Sequence, residues 1–105
     1  MPELKQQPTL EDFQKYVALL ERERGFENQT VIEKCVLLGE EIGELFKAIR
    51  KTNKLAVDEN SDFTSVEEEL ADILIYLCSI ANRYQISLEE AFREKEKINQ
   101  NRVWR

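Results

Sequence analysis

Apolar side chains recur every three to four residues in four segments of the chain, and this spacing predicts amphipathic helices. A Ser or Thr precedes each segment, and an acidic residue follows it three positions later, as in a helix-capping box. The four pairs are Thr9 and Asp12, Thr30 and Glu33, Ser65 and Glu68, and Ser87 and Glu90. The pattern predicts helices over about residues 10–24, 31–51, 66–84 and 88–99, and therefore an all-α fold.

The third predicted helix contains the sequence LADILIYLCSIA, in which apolar residues cover nearly the whole circumference. Such a helix is normally buried on every side. Four short helices can hardly wrap one of their own number completely, so we expect part of this surface to pack against a second subunit. The predicted architecture is a four-helix bundle that is completed by oligomerisation, as a homodimer or a homotetramer. On the second helix, a broad apolar face that includes Cys35, Leu38 and Phe46 is predicted to be core.

The length of 105 residues suits one globular domain over residues 1–105, with residues 1–8 as a flexible tail. Residues 52–64 are polar and are predicted to form the one long interior loop. No segment reaches the roughly 18 apolar residues of a membrane-spanning helix. The first residues also lack the apolar stretch of a secretory signal. We therefore expect a cytoplasmic protein that does not contact a membrane.

Acidic residues outnumber basic ones by 21 to 15, which gives a net charge of −6. The electrostatic field of this negative charge repels polyanions, so we expect no nucleic-acid partner. An anionic ligand would need a bridging cation. The chain contains no His, which removes the commonest general base and most zinc sites. Cys35 and Cys78 lie far apart within apolar helical patterns, where we expect both side chains to be buried.

Carboxylates cluster on the second and third predicted helices. Asp72 lies within the apolar part of the third helix, one turn after Glu69, where a bare charge is costly. Either a salt bridge, for example with Arg83, or a bound cation can compensate this charge. The second helix carries three glutamates within an arc of about 100°, which in isolation is often only a solvated face. These residues are Glu40, Glu41 and Glu44.

Two neighbouring helices that each offer carboxylates one turn apart can build a site made only of oxygen ligands. Hard divalent cations prefer such ligands, and Mg²⁺ retains water and links a protein to substrate phosphates. The absence of His and of paired Cys disfavours zinc, copper and nickel. We therefore expect Mg²⁺, with Mn²⁺ as a substitute.

One face of the fourth predicted helix changes from apolar to basic along its length. Lys95 and Arg102 can contact phosphate oxygens, and Asn99 can form a hydrogen bond to a sugar or a base. The alternative is a solvated helix end whose basic residues suit the negative end of the helix dipole.

The order Glu40-Glu41-x-x-Glu44 followed by Glu69-x-x-Asp72 resembles the signature of the MazG-like all-α nucleoside triphosphate pyrophosphohydrolases, in their short single-domain form. Downstream, Lys95-x-x-x-Asn99-x-x-Arg102 is similar to the substrate-side pattern of that family. The resemblance covers roughly residues 10–104.

The resemblance implies cleavage of the α–β phosphate linkage of an NTP or dNTP, including non-standard nucleotides, to a nucleoside monophosphate and pyrophosphate. It also implies that Tyr76 lies near the nucleotide and that Glu40 supports the metal ligands or orients the attacking water. The catalytic residues would then be Glu40 and Glu41. The implied metal ligands are Glu41, Glu44, Glu69 and Asp72.

Two other functions stay open. Phosphoribosyl-ATP pyrophosphohydrolase belongs to the same structural superfamily and uses the same carboxylate chemistry. A non-catalytic helical-bundle interaction module would instead bind a basic partner on its acidic face, without metal. In that module Asp72→Asn is neutral or stabilising, whereas in an enzyme it costs activity and Mg²⁺-induced stabilisation together.

Overall fold

The computed structural model describes residues 1–54 and 65–102. This part of the chain contains no strand, which confirms the all-α prediction, and each helix boundary lies within one residue of its predicted position. The four helices are α1 (Leu10–Arg24), α2 (Val31–Thr52), α3 (Val66–Arg83) and α4 (Leu88–Gln100). A short 3₁₀ helix, Phe26–Asn28, was not predicted and lies between α1 and α2. Most of the predicted loop, residues 55–64, falls outside the described residues.

Local side chains explain where the helices begin and where α1 ends. Each of the four predicted capping hydroxyls accepts a hydrogen bond from the backbone N–H three residues later, at 3.1–3.3 Å. At α1 the box is reciprocal, because the backbone N–H of Thr9 donates to the Asp12 carboxylate at 2.8 Å. Gly25 ends α1 with φ 73°, a left-handed conformation that a side chain disfavours.

The described helices belong to two compact units. The first unit comprises residues 1–28 and 78–105, and the second comprises residues 29–77. The last turns of α3 therefore belong to the first unit, and the rest of α3 belongs to the second. The prediction of one domain over residues 1–105 stays a prediction. None of the described helices is long and apolar enough to cross a membrane.

In the first unit, Gln14 ties α1 to the turn between α3 and α4. Its Nε2 donates to Asn82 Oδ1 at 3.1 Å and to the Ile86 carbonyl at 2.8 Å, while its Oε1 accepts the Leu88 backbone N–H at 2.9 Å. Asn82 Nδ2 in return donates to the Gln14 carbonyl at 2.9 Å. Since Gln14 is buried, these bonds satisfy polar groups of the turn that have limited access to water.

Gln14→Ala is therefore expected to lower the free energy of unfolding by about 2–3 kcal/mol, because it leaves the Ile86 carbonyl and the Leu88 N–H without these partners. Urea unfolding monitored by circular dichroism measures the loss. The matched control is Gln100→Ala, at an exposed position of α4, which is expected to change stability by less than about 0.5 kcal/mol. Equal effects of the two substitutions would show that the Gln14 network does not stabilise the fold.

The predicted buried face of α2 is wrong for the single chain. Cys35 is exposed, and Phe46 is 60% exposed, although both belong to the face of α2 that was predicted to be core. On α3, Leu70 and Leu77 are exposed, so the single chain does not cover this helix on every side; the expected packing of this surface against a second subunit stays a prediction. The prediction for Cys78 is confirmed, because its side chain is completely buried.

The reason is that α2 turns a different face inward. Lys34 and Ala48, each 2% exposed, are buried on this helix. Glu41 lies midway between them, and because seven residues are nearly two turns, all three share one face. The buried side of α2 is thus the side that carries Glu41, and it is not the most apolar side of the helix.

Candidate functional site

Three carboxylates from two helices meet within the second unit. Glu41 comes from α2, and Glu69 and Asp72 come from successive turns of α3. One oxygen atom of each carboxylate lies within 4.8 Å of the other two. We call these three residues the carboxylate cluster. It contains three of the four side chains that the sequence analysis names as metal ligands.

Burial and mutual repulsion change the chemistry of the cluster. Glu69 is only 3% exposed, and Glu41 and Asp72 are half-buried. The pKa of Glu41 is raised to about 7, first by a hydrogen bond with the Glu69 carboxyl and then by burial and by the negative charges of Glu69, Asp72 and Glu44. Glu41 therefore holds a proton up to nearly neutral pH when no cation is bound.

Glu44, the fourth predicted ligand, lies one turn after Glu41 on α2. Its carboxylate is 3.6 Å from Lys47 Nζ, and it does not belong to the carboxylate cluster. Its negative charge nevertheless contributes to the raised pKa of Glu41. Glu44 thus lies close enough to influence the cluster electrostatically, while Lys47 compensates part of its charge.

Tyr76 follows Asp72 by one turn of α3 and is half-buried. Its pKa is raised, first by burial and then by the negative charges of Glu41, Asp72 and Glu40. The hydroxyl therefore stays protonated at neutral pH and is available as a hydrogen-bond donor. Glu40 itself is exposed, so the structure puts a solvent-accessible carboxylate close enough to influence Tyr76.

The proposed alternative of an Asp72–Arg83 salt bridge does not fit the helix geometry. Eleven residues of one straight helix span about 16 Å along the axis, which is too far for two side chains to pair. Arg83 Nη2 lies 3.6 Å from Glu21 Oε2 and donates to the Phe26 carbonyl at 3.1 Å. These contacts argue against Arg83 as the partner of Asp72, while an interhelical salt bridge and a bound cation both stay predictions.

The predicted substrate contacts other than Tyr76 lie in the first unit. Lys95 is exposed on α4, and Asn99 is half-buried near the end of that helix. Because α4 ends at Gln100, Arg102 lies beyond the helix and does not continue its face. The backbone N–H of Arg102 donates to the Asn99 carbonyl at 3.2 Å. The roles of these three residues in binding substrate stay predictions.

Lys34 is a charged residue that the sequence analysis did not single out. It is almost completely buried on the same face of α2 as Glu41. The seven-residue spacing from Lys34 to Glu41 and from Glu41 to Ala48 puts all three on one face of α2. Since Lys and Glu are rarely buried, the sequence contained no signal that this face turns inward.

The ligand set of the cluster fits a hard divalent cation. All its donor atoms are carboxylate oxygens, which Mg²⁺ and Mn²⁺ accept readily, and no described nitrogen or sulfur ligand joins the group. The raised pKa of Glu41 indicates an excess of negative charge that a cation would relieve. The site therefore has the composition of a metal centre.

A comparison with known protein families assigns most of the chain to one family. The sequence model of the MazG nucleotide pyrophosphohydrolase domain matches residues 29–103, which is most of the 105-residue chain. This range contains the carboxylate cluster together with Glu40, Glu44 and Tyr76. No curated protein matches the chain. With four α-helices in residues 1–54 and 65–102 and with its two carboxylate motifs, the chain belongs to the MazG nucleotide pyrophosphohydrolase domain family.

Proposed function

We propose that this protein hydrolyses nucleoside triphosphates, either NTPs or dNTPs and including non-standard bases, at the α–β phosphate linkage. The products are a nucleoside monophosphate and pyrophosphate. The carboxylate cluster is the observation that carries the proposal. Its oxygen ligands and the raised pKa of Glu41 suit a divalent cation, and the chain belongs to a nucleotide pyrophosphohydrolase family. We propose Mg²⁺ as the cation, with Mn²⁺ as a substitute.

Glu41, Glu69 and Asp72 would hold the cation, and Glu44 would join them by turning away from Lys47. When bound, the cation supplies charge neutralisation for the triphosphate and Lewis-acid activation at the phosphorus and at water. Glu41 would release its proton when it serves as a carboxylate ligand. The buried position of Glu69 limits its motion and keeps the ligand set in one arrangement.

The chain's own residues would perform the remaining steps. Glu40, an exposed carboxylate beside the cluster, would orient the attacking water and accept its proton. The protonated Tyr76 hydroxyl would donate a hydrogen bond to the nucleotide. Lys95 and Arg102 would balance the charge that moves toward the leaving pyrophosphate, and Asn99 would contact the sugar or the base. No covalent intermediate is needed.

Two alternatives follow from the same cluster. Phosphoribosyl-ATP contains the same α–β linkage, so its hydrolysis would use the same groups. A non-catalytic module would instead use the acidic face to bind a basic partner, and Mg²⁺ would not be required.

A substrate panel tests the proposal. Purified protein is incubated with Mg²⁺ and with each of the NTPs, the dNTPs and phosphoribosyl-ATP, and products are separated by chromatography. We expect pyrophosphate together with the monophosphate from at least one NTP or dNTP, and no turnover without a divalent cation. Hydrolysis of phosphoribosyl-ATP alone would identify the first alternative. The absence of any turnover, combined with a melting temperature that Mg²⁺ leaves unchanged, would favour the interaction module.

A further inference from the structure

The second unit is an insertion in the sequence of the first, because the chain leaves the first unit after Asn28 and returns to it at Cys78. The two connections differ in kind. The returning connection is α3, which crosses the boundary as one unbroken helix. The outgoing connection is the 3₁₀ helix Phe26–Asn28, which one residue separates from Thr30, the N-cap of α2. Such a short 3₁₀ helix holds its direction poorly without further contacts.

Arg83 ties the two connections together within the first unit. It is the last residue of α3, and its Nη2 atom donates a hydrogen bond to the Phe26 carbonyl at 3.1 Å. The same Nη2 atom lies 3.6 Å from Glu21 Oε2 in α1. We call these three residues the Arg83 clamp.

The Arg83 clamp is partly shielded from water. The side chain of Glu21 is 11% exposed and that of Arg83 is 25% exposed. A hydrogen bond from a charged donor is stronger than one from a neutral donor, and salt screens a partly buried ion pair less than an exposed one. The 3₁₀ helix also packs against α1, so the clamp holds it from a second side.

The chain distances from the clamp to the two carboxylate-bearing helices match. Asp72 precedes Arg83 by 11 residues along α3, and Glu41 follows Thr30 by 11 residues along α2. At 1.5 Å per residue, each helical arm is about 16 Å long. Two arms of equal length that begin close to one tie bring their far ends to the same level when they run side by side. Glu41 and Asp72 do meet in the carboxylate cluster.

The carboxylate cluster depends on the register between α2 and α3. One oxygen atom of each carboxylate lies within 4.8 Å of the other two, so a shift of one helix by a single turn, about 5.4 Å, would separate them. Residues 53–65 connect the end of α2 to the start of α3 along the chain. A tie at the other ends of the two helices closes this segment, and a closed chain samples fewer arrangements than an open one.

We propose that Arg83 is a positioning residue of the metal centre, and the role of that centre rests on the proposed function. The clamp fixes the entry of α2 to the end of α3 and thereby keeps Glu41 in register with Asp72. Arg83 does not act through its charge, because the 16 Å or so between it and Asp72 along α3 is about twice the Debye length at physiological ionic strength.

Mg²⁺ affinity separates this role from a purely structural one. Arg83→Met removes the charged donor and keeps much of the side-chain volume. We expect the folded variant to bind Mg²⁺ about 10- to 100-fold more weakly in isothermal titration calorimetry at pH 8, as for other residues that support metal ligands. Loss of a positive charge would by itself strengthen cation binding. Partial unfolding would reduce the number of sites per chain and leave the affinity of the folded chains unchanged.

Two further variants control for this result. Arg83→Lys keeps a charged donor, and we expect it to lose less affinity than Arg83→Met. Arg93 also pairs with a glutamate of the first unit, because its Nε lies 2.9 Å from Glu89 Oε2, but both residues belong to α4. Arg93→Met is therefore expected to bind Mg²⁺ like the wild type. Wild-type affinity in Arg83→Met, or an equal loss in Arg93→Met, would overturn the proposal.

Spin-label distances test the clamp without metal or nucleotide. Cys35 is exposed on α2, and Leu77→Cys adds a second exposed thiol on α3, whereas Cys78 is completely buried and stays unlabelled. Pulsed electron paramagnetic resonance on metal-free protein, diluted with unlabelled chains, gives the distribution of distances between the two labels. We expect a narrow distribution with Arg83 intact and a broader one in Arg83→Met, while Arg93→Met stays narrow. A distribution that Arg83→Met leaves unchanged would overturn the proposal.

The two measurements distinguish the clamp from the proposed function. A wild-type protein that binds no Mg²⁺ and hydrolyses no nucleotide would contradict the proposed function, and the label distances would still decide whether Arg83 holds α2 and α3 in register. A protein that hydrolyses nucleotides, but in which Arg83→Met changes neither the distances nor the affinity, would contradict the clamp alone.

Discussion

Glu41→Gln and Asp72→Asn are each expected to lower the rate of pyrophosphate release by about 100- to 1000-fold at saturating Mg²⁺. Each substitution removes one of the three carboxylates that lie within 4.8 Å of one another. Loss of one charged ligand weakens the electrostatic stabilisation of the transition state by about 3–4 kcal/mol, and each 1.36 kcal/mol corresponds to a factor of ten in rate. The measurement is steady-state release of pyrophosphate for each variant beside the wild type.

The same substitutions should stabilise the metal-free protein. The pKa of Glu41 is raised first by its hydrogen bond with Glu69 and by burial, and then by the negative charges of its neighbours, so a neutral amide at position 41 or 72 relieves repulsion within the cluster. In the wild type, Mg²⁺ should raise the melting temperature because it binds only the folded state. This shift should disappear in both variants. A higher melting temperature without metal, together with a lost response to Mg²⁺, is a combination that general unfolding does not produce.

Glu67→Gln is the matched control, because Glu67 is an exposed carboxylate in the first turn of the same helix, α3. It removes one negative charge without touching the cluster, and we expect activity and the Mg²⁺ response to stay at the wild-type level. If Glu41→Gln and Asp72→Asn behaved like Glu67→Gln, the carboxylate cluster could not be the metal centre.

Mg²⁺ affinity is expected to fall about 100-fold between pH 8, where Glu41 is ionised, and pH 5. A cation must displace the proton that Glu41 holds with a pKa of about 7. Below this pKa the apparent affinity therefore decreases about tenfold for each pH unit, and above it the affinity reaches a plateau. Isothermal titration calorimetry in two buffers of different ionisation enthalpy measures both the affinity and the number of protons released.

About one proton should be released per bound Mg²⁺ near pH 6, and almost none at pH 8. Glu41→Gln should abolish this release, since the amide carries no titrating proton. An affinity that stays constant from pH 5 to pH 8 would contradict the assignment of Glu41 as a ligand.

Stability without metal should show the opposite dependence on pH. The pKa of Glu41 is about 7 in the folded protein, against an ordinary value of 4.5 for an exposed glutamate in the unfolded chain. Between these two values the folded state therefore binds a proton that the unfolded chain has lost. The contribution of Glu41 to folding is therefore fully present below pH 4.5 and is lost as the pH rises through 7. Chemical denaturation in EDTA measures this decrease, and saturating Mg²⁺ should reverse it.

The helices could be predicted from the sequence because their signals are local. Each helix begins at a hydroxyl that accepts a hydrogen bond from the backbone N–H three residues later, at Thr9, Thr30, Ser65 and Ser87. Gly25 ends α1 through its own φ angle. Both effects depend only on residues that are close in the sequence. The family could also be predicted from the sequence, since the two carboxylate motifs resemble the family signature and the family model matches residues 29–103, which contain both motifs.

Local signals did not show which face of α2 turns inward. Its apolar residues occupy more than one side, and the pattern alone favoured a face that includes the exposed Cys35 and Phe46. The short 3₁₀ helix at Phe26–Asn28 was also missed, because three residues carry no periodic pattern.

The sequence by itself thus determined the helix boundaries, the all-α class and the carboxylates available to the site, since all three depend on residues near one another in the chain. Only the tertiary structure decided that Glu41 meets Glu69 and Asp72 while Glu44 pairs with Lys47. The rise in the pKa of Glu41 to about 7 likewise depends on the tertiary structure. The physical reason is that repulsion, burial and ion pairing depend on distances between helices, and those distances exist only after α2 and α3 have packed together.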